Sequence, residues 1–241
     1  MNAIHERTEL LIGPERLERL SRRHVLIAGL GGVGSYAAEA IARAGVGRMT
    51  LLDHDAVGLS NMNRQLVALH STVGRKKSEV MAERIRDINP DIRVDTINDF
   101  LSPANVADRV PGDLDYALDC IDSIACKAAL VLHCQERRIP VASSMGAGGR
   151  LDPTALRVGP LGRTVLCPLA RELRKRLRRM GASLDYPVVF SAEQPVKGTA
   201  HRPLDGPRPG RARAVNGTIS YLPPLFGYTL AGLVIRALLN D

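Results

Sequence analysis

Tryptophan is absent from this 241-residue chain, and three phenylalanines and five tyrosines bring aromatics to only 3%. A partner therefore cannot be gripped mainly by stacked rings. Nucleic-acid recognition would lean on charge and shape, with Tyr186 or Phe190 among the few candidates for base stacking. Cysteine is also scarce. Cys120, Cys126, Cys134 and Cys167 form no C-x-x-C pair, so neither a zinc knuckle nor a secreted disulfide framework is indicated, and a reducing cytosol is the natural setting. Cys120 is expected to be buried on a strand; Cys167, before Pro168 and a basic helix, is the one cysteine to test as reactive. The first residues, Met1-Asn2-Ala3-Ile4-His5-Glu6-Arg7, lack the apolar core of a signal peptide, so secretion is not expected. Long apolar runs are missing except from Ile219 to Leu239, where Arg236 is the sole charge and Pro223-Pro224 interrupt the start. That run approaches the roughly 20 residues of a membrane span. It is read as a core helix, since helix formation can begin only around Pro224.

What the chain does contain is the pattern of a parallel sheet wrapped by helices. Strands are predicted at Val25–Leu30, Met49–Asp53, Arg93–Ile97, Tyr116–Cys120 and Val141–Ser144. Helices are predicted at Pro14–Leu20, Ser35–Ala44, Lys77–Ile88 and Ile124–Arg137. After Gly146-Ala147-Gly148-Gly149 the alternation weakens: Leu151–Val158 reads as an edge strand broken by Pro153, and Gln194–Ala214, rich in Pro, Gly and Arg, reads as a loop. The expected fold is α/β, a Rossmann-like doubly wound, mainly parallel sheet in one domain. Residues 1–145 form its nucleotide-binding half, and residues 146–241 a less regular extension ending in an apolar helix.

Charge is distributed unevenly. Arg150 to Arg213 holds fourteen Lys/Arg against five Asp/Glu, net +9, while the remainder is net −1. The density peaks in Arg171–Arg179 and recurs at Arg202, Arg208, Arg211 and Arg213. A polyanion would neutralise such a segment and release counterions on binding.

The chemistry is concentrated near the start. Val25–Ala28 runs into Gly29-Leu30-Gly31-Gly32-Val33-Gly34, a strand followed by G-x-G-x-x-G, where glycines permit a tight turn and a close approach of backbone to phosphate. Asp53, nineteen residues beyond Gly34, is placed to accept hydrogen bonds from a ribose. Those features suit NAD and ATP alike. Arg64 and Lys77 separate the two, because a nicotinamide enzyme needs no cation cluster here, whereas attack on an α-phosphate does. Asp122, in Asp119-Cys120-Ile121-Asp122-Ser123 after the fourth strand, could hold Mg²⁺ on the phosphates or cap the next helix; Asp119 is expected to be structural.

Taken together, Gly29–Gly34, Asp53-x-Asp55-x-Val57-x-x-Ser60-Asn61-x-x-Arg64-Gln65, Val73-Gly74-x-x-Lys77 and Asp119–Asp122 resemble the ThiF/MoeB adenylating enzymes. The resemblance implies a homodimer that joins a carboxylate to AMP, using ATP and Mg²⁺. Gly29, Gly31, Gly32, Gly34, Asp53, Asp55, Asn61, Arg64, Gln65 and Lys77 would line the nucleotide, Asp122 would hold the metal, and Arg7 would reach into the partner's site. Within that superfamily three further stretches are similar to the tRNA threonylcarbamoyladenosine dehydratases: Asp122-Ser123-x-x-x-Lys127-Ala128-Ala129-Leu130, Gly146-Ala147-Gly148-Gly149-x-x-Asp152-Pro153-Thr154 and Asp185–Glu193. This closer resemblance implies a tRNA substrate, not DNA, whose threonylcarbamoyl carboxylate is adenylated and then cyclises with net loss of water. It also implies a cysteine desulfurase or sulfur-acceptor partner. Adenylation of the C-terminus of a ubiquitin-like sulfur carrier is the alternative. That reaction calls for a reactive thiol, whereas a tethered nucleophile needs none.

Overall fold

The computed structural model describes residues 3–196 and 217–240. In chain order these form α1 (Glu6–Ile12), α2 (Pro14–Ser21), β1 (His24–Ala28), α3 (Gly34–Arg43), β2 (Arg48–Leu52), α4 (Lys77–Ile88), β3 (Arg93–Ile97) and α5 (Val106–Arg109). They continue with β4 (Tyr116–Asp119), α6 (Ile124–Glu136), β5 (Val141–Ser144), β6 (Leu156–Pro160), α7 (Pro168–Arg179), β7 (Pro187–Ser191) and α8 (Leu222–Asn240). Most of the predicted Gln194–Ala214 loop, with Arg202, Arg208, Arg211 and Arg213, lies outside the described residues.

One seven-stranded sheet in the order β3-β2-β1-β4-β5-β7-β6 runs through both halves of the chain. Neighbouring strands are parallel except for β6, which pairs antiparallel with β7 and forms an edge, as its proline-interrupted approach suggested. All five β1 residues are buried, the continuous burial of an interior parallel strand covered on both faces. The order reverses direction between β1 and β4, and at such a switch point the two carboxyl strand ends open a crevice.

Strand ends differ from the predicted ones by a residue or two, for identifiable reasons. Gly29 adopts φ 89°, which ends β1 before the expected Leu30. Asp53 and Asp119 each turn a carboxylate onto the backbone two residues ahead, at Asp55 N (2.8 Å) and Ile121 N (3.2 Å), ending β2 and β4. The edge strand expected at Leu151–Val158 differs more: it starts five residues later, at Leu156, because Pro153–Ala155 form a helical turn capped by Asp152. The second half is more regular than its patterning suggests, since it supplies β6, β7, α7 and α8 to the same body. Tyr186 and Phe190 are buried at and beside β7, which corrects their assignment as base-stacking candidates.

The apolar tail forms α8, with Leu222, Phe226, Leu230, Val234 and Leu238 fully buried. Pro223 and Pro224 sit in its first turn, where helical N–H groups have no intrahelical partner. Gly227 lets α8 close on α3; a Cβ there would collide with the Val33 carbonyl oxygen.

The carboxyl ends of β4 and β5 are joined by charge. Lys127 of α6 and Asp119 have fully buried side chains, with Nζ 2.7 Å from the carboxylate. The ammonium also donates to Ser144 O (2.9 Å), and the Ser143 hydroxyl donates to the same carboxylate oxygen (2.6 Å). Burial raises the Asp119 proton affinity; the ammonium, the hydroxyl and the Ile121 N–H oppose it. Removing one partner strands the other charge in the core. Lys127→Met should therefore lower unfolding free energy by about 3–5 kcal/mol in denaturant titration, and the double variant Asp119→Leu/Lys127→Met should lose less than Lys127→Met alone.

Candidate active site

At the carboxyl end of β1 the chain turns through Gly29–Gly34 into α3, so the unpaired first N–H groups of a ten-residue helix face the crevice. Three of the four glycines are required by the fold. A Cβ on Gly29 would lie 2.9 Å from Cys120 O, the point where the β1 and β4 loops touch. On Gly34 it would be driven into the Gly29 carbonyl, and on Gly32 it would meet Pro223 Cβ at 2.9 Å and Arg64 Cγ at 3.2 Å. Gly31 is different. A Cβ there meets nothing nearer than Gln65 Nε2 at 3.8 Å, so its missing side chain leaves room that the protein itself does not fill.

Asp53 spends one carboxylate oxygen on Leu30 N (2.6 Å) and the other on Asp55 N (2.8 Å). It fastens the glycine turn to the end of β2. Lys77 at the start of α4 is buried and pairs with Asp55 (2.9 Å). Expected beside Arg64 as a second phosphate cation, Lys77 is linked through Asp55 and Asp53 to the glycine turn.

Arg64 is the cation left uncommitted. Its stem lies against Gly32, and its guanidinium donates to Ser60 O (3.0 Å) and Asn63 Oδ1 (2.9 Å), with no ion pair to any described carboxylate. Burial pulls its pKa below the usual guanidinium value. Asn61 sets up the turn that presents it: the side-chain Oδ1 accepts from Gly58 N (3.0 Å), and its carbonyl accepts from the N–H groups of Arg64 and Gln65. Gln65 is buried beside Gly31, and its Oε1 has no hydrogen-bond partner among the described residues. The Gln65 atom nearest the space that Gly31 leaves is Nε2, a donor that a ligand's acceptor could meet. Asp122, exposed just ahead of α6, lies on the loop that leaves the carboxyl end of β4; the N-cap position belongs to Ser123, not to Asp122.

Arg7 does not join this constellation. It is exposed on α1, two residues after His5, which packs against Gly45 and contacts Asn89 Nδ2 at 3.3 Å. Gly45 and Asn89 precede β2 and β3, so α1 lies at the amino edge of a sheet whose five-residue strands are roughly 16 Å long.

Two residues outside the predicted set hold the site. The Ser35 hydroxyl donates to Gly31 O (2.7 Å) and accepts from Leu66 N (3.2 Å), tying the glycine turn to the Arg64 loop. Its signal was a hydroxyl one residue after the last motif glycine. Arg150 is buried under the loop that follows β5 and donates to Gly146 O (2.5 Å), Gly148 O (3.0 Å) and Leu166 O (3.0 Å). Nothing in the sequence set it apart from the basic residues around it. Thiol chemistry is disfavoured: Cys126, Cys134 and Cys167 are buried, correcting the choice of Cys167 as a reactive candidate, and burial pushes the Cys120 and Cys134 thiols up to about 12.

The crevice is that of a nucleotide-binding α/β protein, with a helix N-terminus for phosphate and an unpaired arginine beside it. The chain belongs to the ThiF family, whose model matches residues 5–241. It is 47% identical over 186 residues to the tRNA threonylcarbamoyladenosine dehydratase of Escherichia coli K12, covering 77% of this chain and 68% of that protein. It is 38% identical over 239 residues to the enzyme of that name in Bacillus subtilis 168, covering 98% and 94%. The crystal structure of the E. coli dehydratase TcdA in complex with ATP superposes with a TM-score of 0.87 at 38% identity, covering all of this chain and 96% of that one.

These glycine environments make a discriminating prediction. Gly34→Ala should unfold at distinctly lower denaturant. Gly31→Ala should keep wild-type stability within about 1 kcal/mol and yet weaken ATP binding in isothermal titration.

Proposed function

We propose that this protein is an ATP-dependent tRNA threonylcarbamoyladenosine dehydratase. An oxygen of the threonylcarbamoyl carboxylate attacks the α-phosphorus of ATP, and the bond to pyrophosphate breaks as the new P–O bond forms. A nucleophile of the same modified nucleoside then attacks the activated carbonyl carbon and loses its proton to solvent. The ring closes and AMP leaves with the former carboxylate oxygen, so the nucleoside loses one water while ATP becomes AMP and pyrophosphate. Tethering supplies the second nucleophile, which agrees with a chain whose cysteines are buried or held as thiols.

The observation that carries this reading is Arg64, partly desolvated against Gly32 and without a carboxylate partner among the described residues. A cation so placed is worth most when negative charge builds up on phosphate oxygens. Asp122 and phosphate oxygens form a donor set suited to Mg²⁺, and the bound ion would neutralise the departing pyrophosphate. Arg7, at the far edge from its own crevice, acts in this reading on the site of a second copy. The neighbouring Leu10 and Leu11 are 82% and 84% exposed, an apolar pair suited to burial in a homodimer.

The test is mass spectrometry of tRNA nucleosides after incubation with ATP and threonylcarbamoyl-modified tRNA, where loss of one water is expected. Arg64→Ala and Asp122→Ala should each slow that conversion and ATP–pyrophosphate exchange by about 10²–10³-fold; unchanged rates in both would overturn the reading. Leu10→Glu/Leu11→Glu should shift the protein to monomers in sedimentation and abolish turnover. An equal, freely exchanging mixture of inactive Arg7→Ala and Arg64→Ala chains should recover about a quarter of the wild-type rate, because each mixed dimer rebuilds one complete site.

A further inference from the structure

Eight of the fifteen arginines in residues 1–145 pair with carboxylates. Arg23 pairs with Asp115 (2.7 Å), Arg48 with Asp95 and Asp113 (2.9 and 2.5 Å), and Arg109 with Asp99 (2.6 Å); Arg43 and Arg84 share Glu39. Helix α7 carries six cations and one carboxylate. Glu172 is its single carboxylate and is shared by Arg171 and Lys175, while Arg176, Arg178 and Arg179 pair with no described residue. The helix is nevertheless rigidly seated. Ala170, Leu173 and Leu177 are fully buried, and the Arg174 guanidinium is held by the Thr164 carbonyl and hydroxyl.

Placement gives the charge a direction. The first turn of α7 starts on the loop after β5: Arg150 clamps Gly146 O and Leu166 O together, and Cys167 Sγ and Leu169 Cβ lie 3.8 and 3.7 Å from where a Gly146 Cβ would be. From that rim, at the carboxyl edge of the sheet, the helix runs down the flank of α6 to the amino edge. There Gln135 of α6 holds both the N–H and the carbonyl of Ser183 (2.8 and 3.0 Å). Arg137 and Arg138, both exposed, end α6 at this same edge. Arg171, Lys175, Arg178 and Arg179 fall at helical spacing on the outer face and extend over about 12 Å, the length of several phosphates along one strand. A helix dipole favours cations in the last turn, but it gives no reason for Arg171 and Lys175 in the first two.

We propose that the outer face of α7, continued by Arg137 and Arg138, is the track along which the RNA arm carrying the target adenosine leaves the active site, held through its phosphates. The proposal rests on the tRNA reading above and adds the surface and the direction. The apolar side of α7 is spent on the protein core, so the helix has no face with which to enter a lipid surface, and a structured RNA is the polyanion that fits.

The test uses full-length protein with all four exposed cations removed, Arg171→Gln/Lys175→Gln/Arg178→Gln/Arg179→Gln, and a charge-matched control, Arg16→Gln/Arg22→Gln/Arg93→Gln/Arg109→Gln. Affinity for unlabelled-substrate tRNA is measured by competition between about 50 and 200 mM salt. The α7 variant should bind at least about tenfold more weakly, and its slope of log affinity against log salt should flatten by about three units. ATP binding without RNA and the thermal melting temperature should stay at wild-type values, and the control should bind RNA nearly as the wild type does. Equal loss in the control, or undiminished RNA binding by the α7 variant, overturns the track while leaving the dehydratase reading intact. Failure of the wild-type protein to bind tRNA overturns both. Sedimentation with anionic vesicles that is lost in the α7 variant, while RNA binding persists, would assign the face to a membrane instead.

Discussion

The arrangement depends on one buried ion pair. Asp119 ends β4, Lys127 lies one turn into α6, and Ser143 and Ser144 close β5, so a single ammonium and a single carboxylate fix three elements at the place where the crevice opens. Such a pair adds little net stability over an apolar substitute, because desolvating two charges offsets most of their attraction. What it supplies is position. The loops that leave β4 and β5 carry Asp122 and the Gly146–Gly149 stretch, and both start from residues this pair holds in register.

The same logic separates charges that build the molecule from charges kept for a ligand. Asp53 is consumed by two backbone N–H groups and Lys77 by Asp55; Arg150 is consumed by three carbonyls. Arg64 at the glycine turn and Arg176, Arg178 and Arg179 of α7 have no carboxylate partner among the described residues, and Arg171 and Lys175 share the single carboxylate of Glu172. A protein could silence those charges with a single aspartate or glutamate each, as it does for Arg23 and Arg109. Leaving them unpaired costs some self-repulsion and keeps potential available to an anion.

Much of the fold was legible because parallel strands bury both faces and read as short apolar runs. Val141–Ser144 falls where such a run places it, while the edge strand Arg93–Ile97 and the helix Lys77–Ile88 fall where alternation and helical spacing place them. β7 was not, since Pro187–Ser191 follows a basic helix and a turn and gives no alternation of its own. α1 was missed for a different reason: its Leu10 and Leu11 are exposed, so no apolar face of this chain marks it. At the site, Gly29–Gly34, Asp53, Arg64 and Gln65 were visible as types at fixed spacings, while Ser35 and Arg150 were not, because each acts through backbone carbonyls and N–H groups.

By itself the sequence determined the nucleotide crevice: a strand, a glycine turn and a helix are local, and they follow one another without a break from His24 to Arg43. Only the tertiary structure decided which charges are spent and which are free, because that depends on partners brought together from distant segments. Asp55 meets Lys77 across 22 residues and Arg150 meets Leu166 across 16, while Arg7 is carried to the edge opposite its own site. A charge read from the chain is only a type. Its work is set by what lies within a few ångströms of it, and that is fixed by packing.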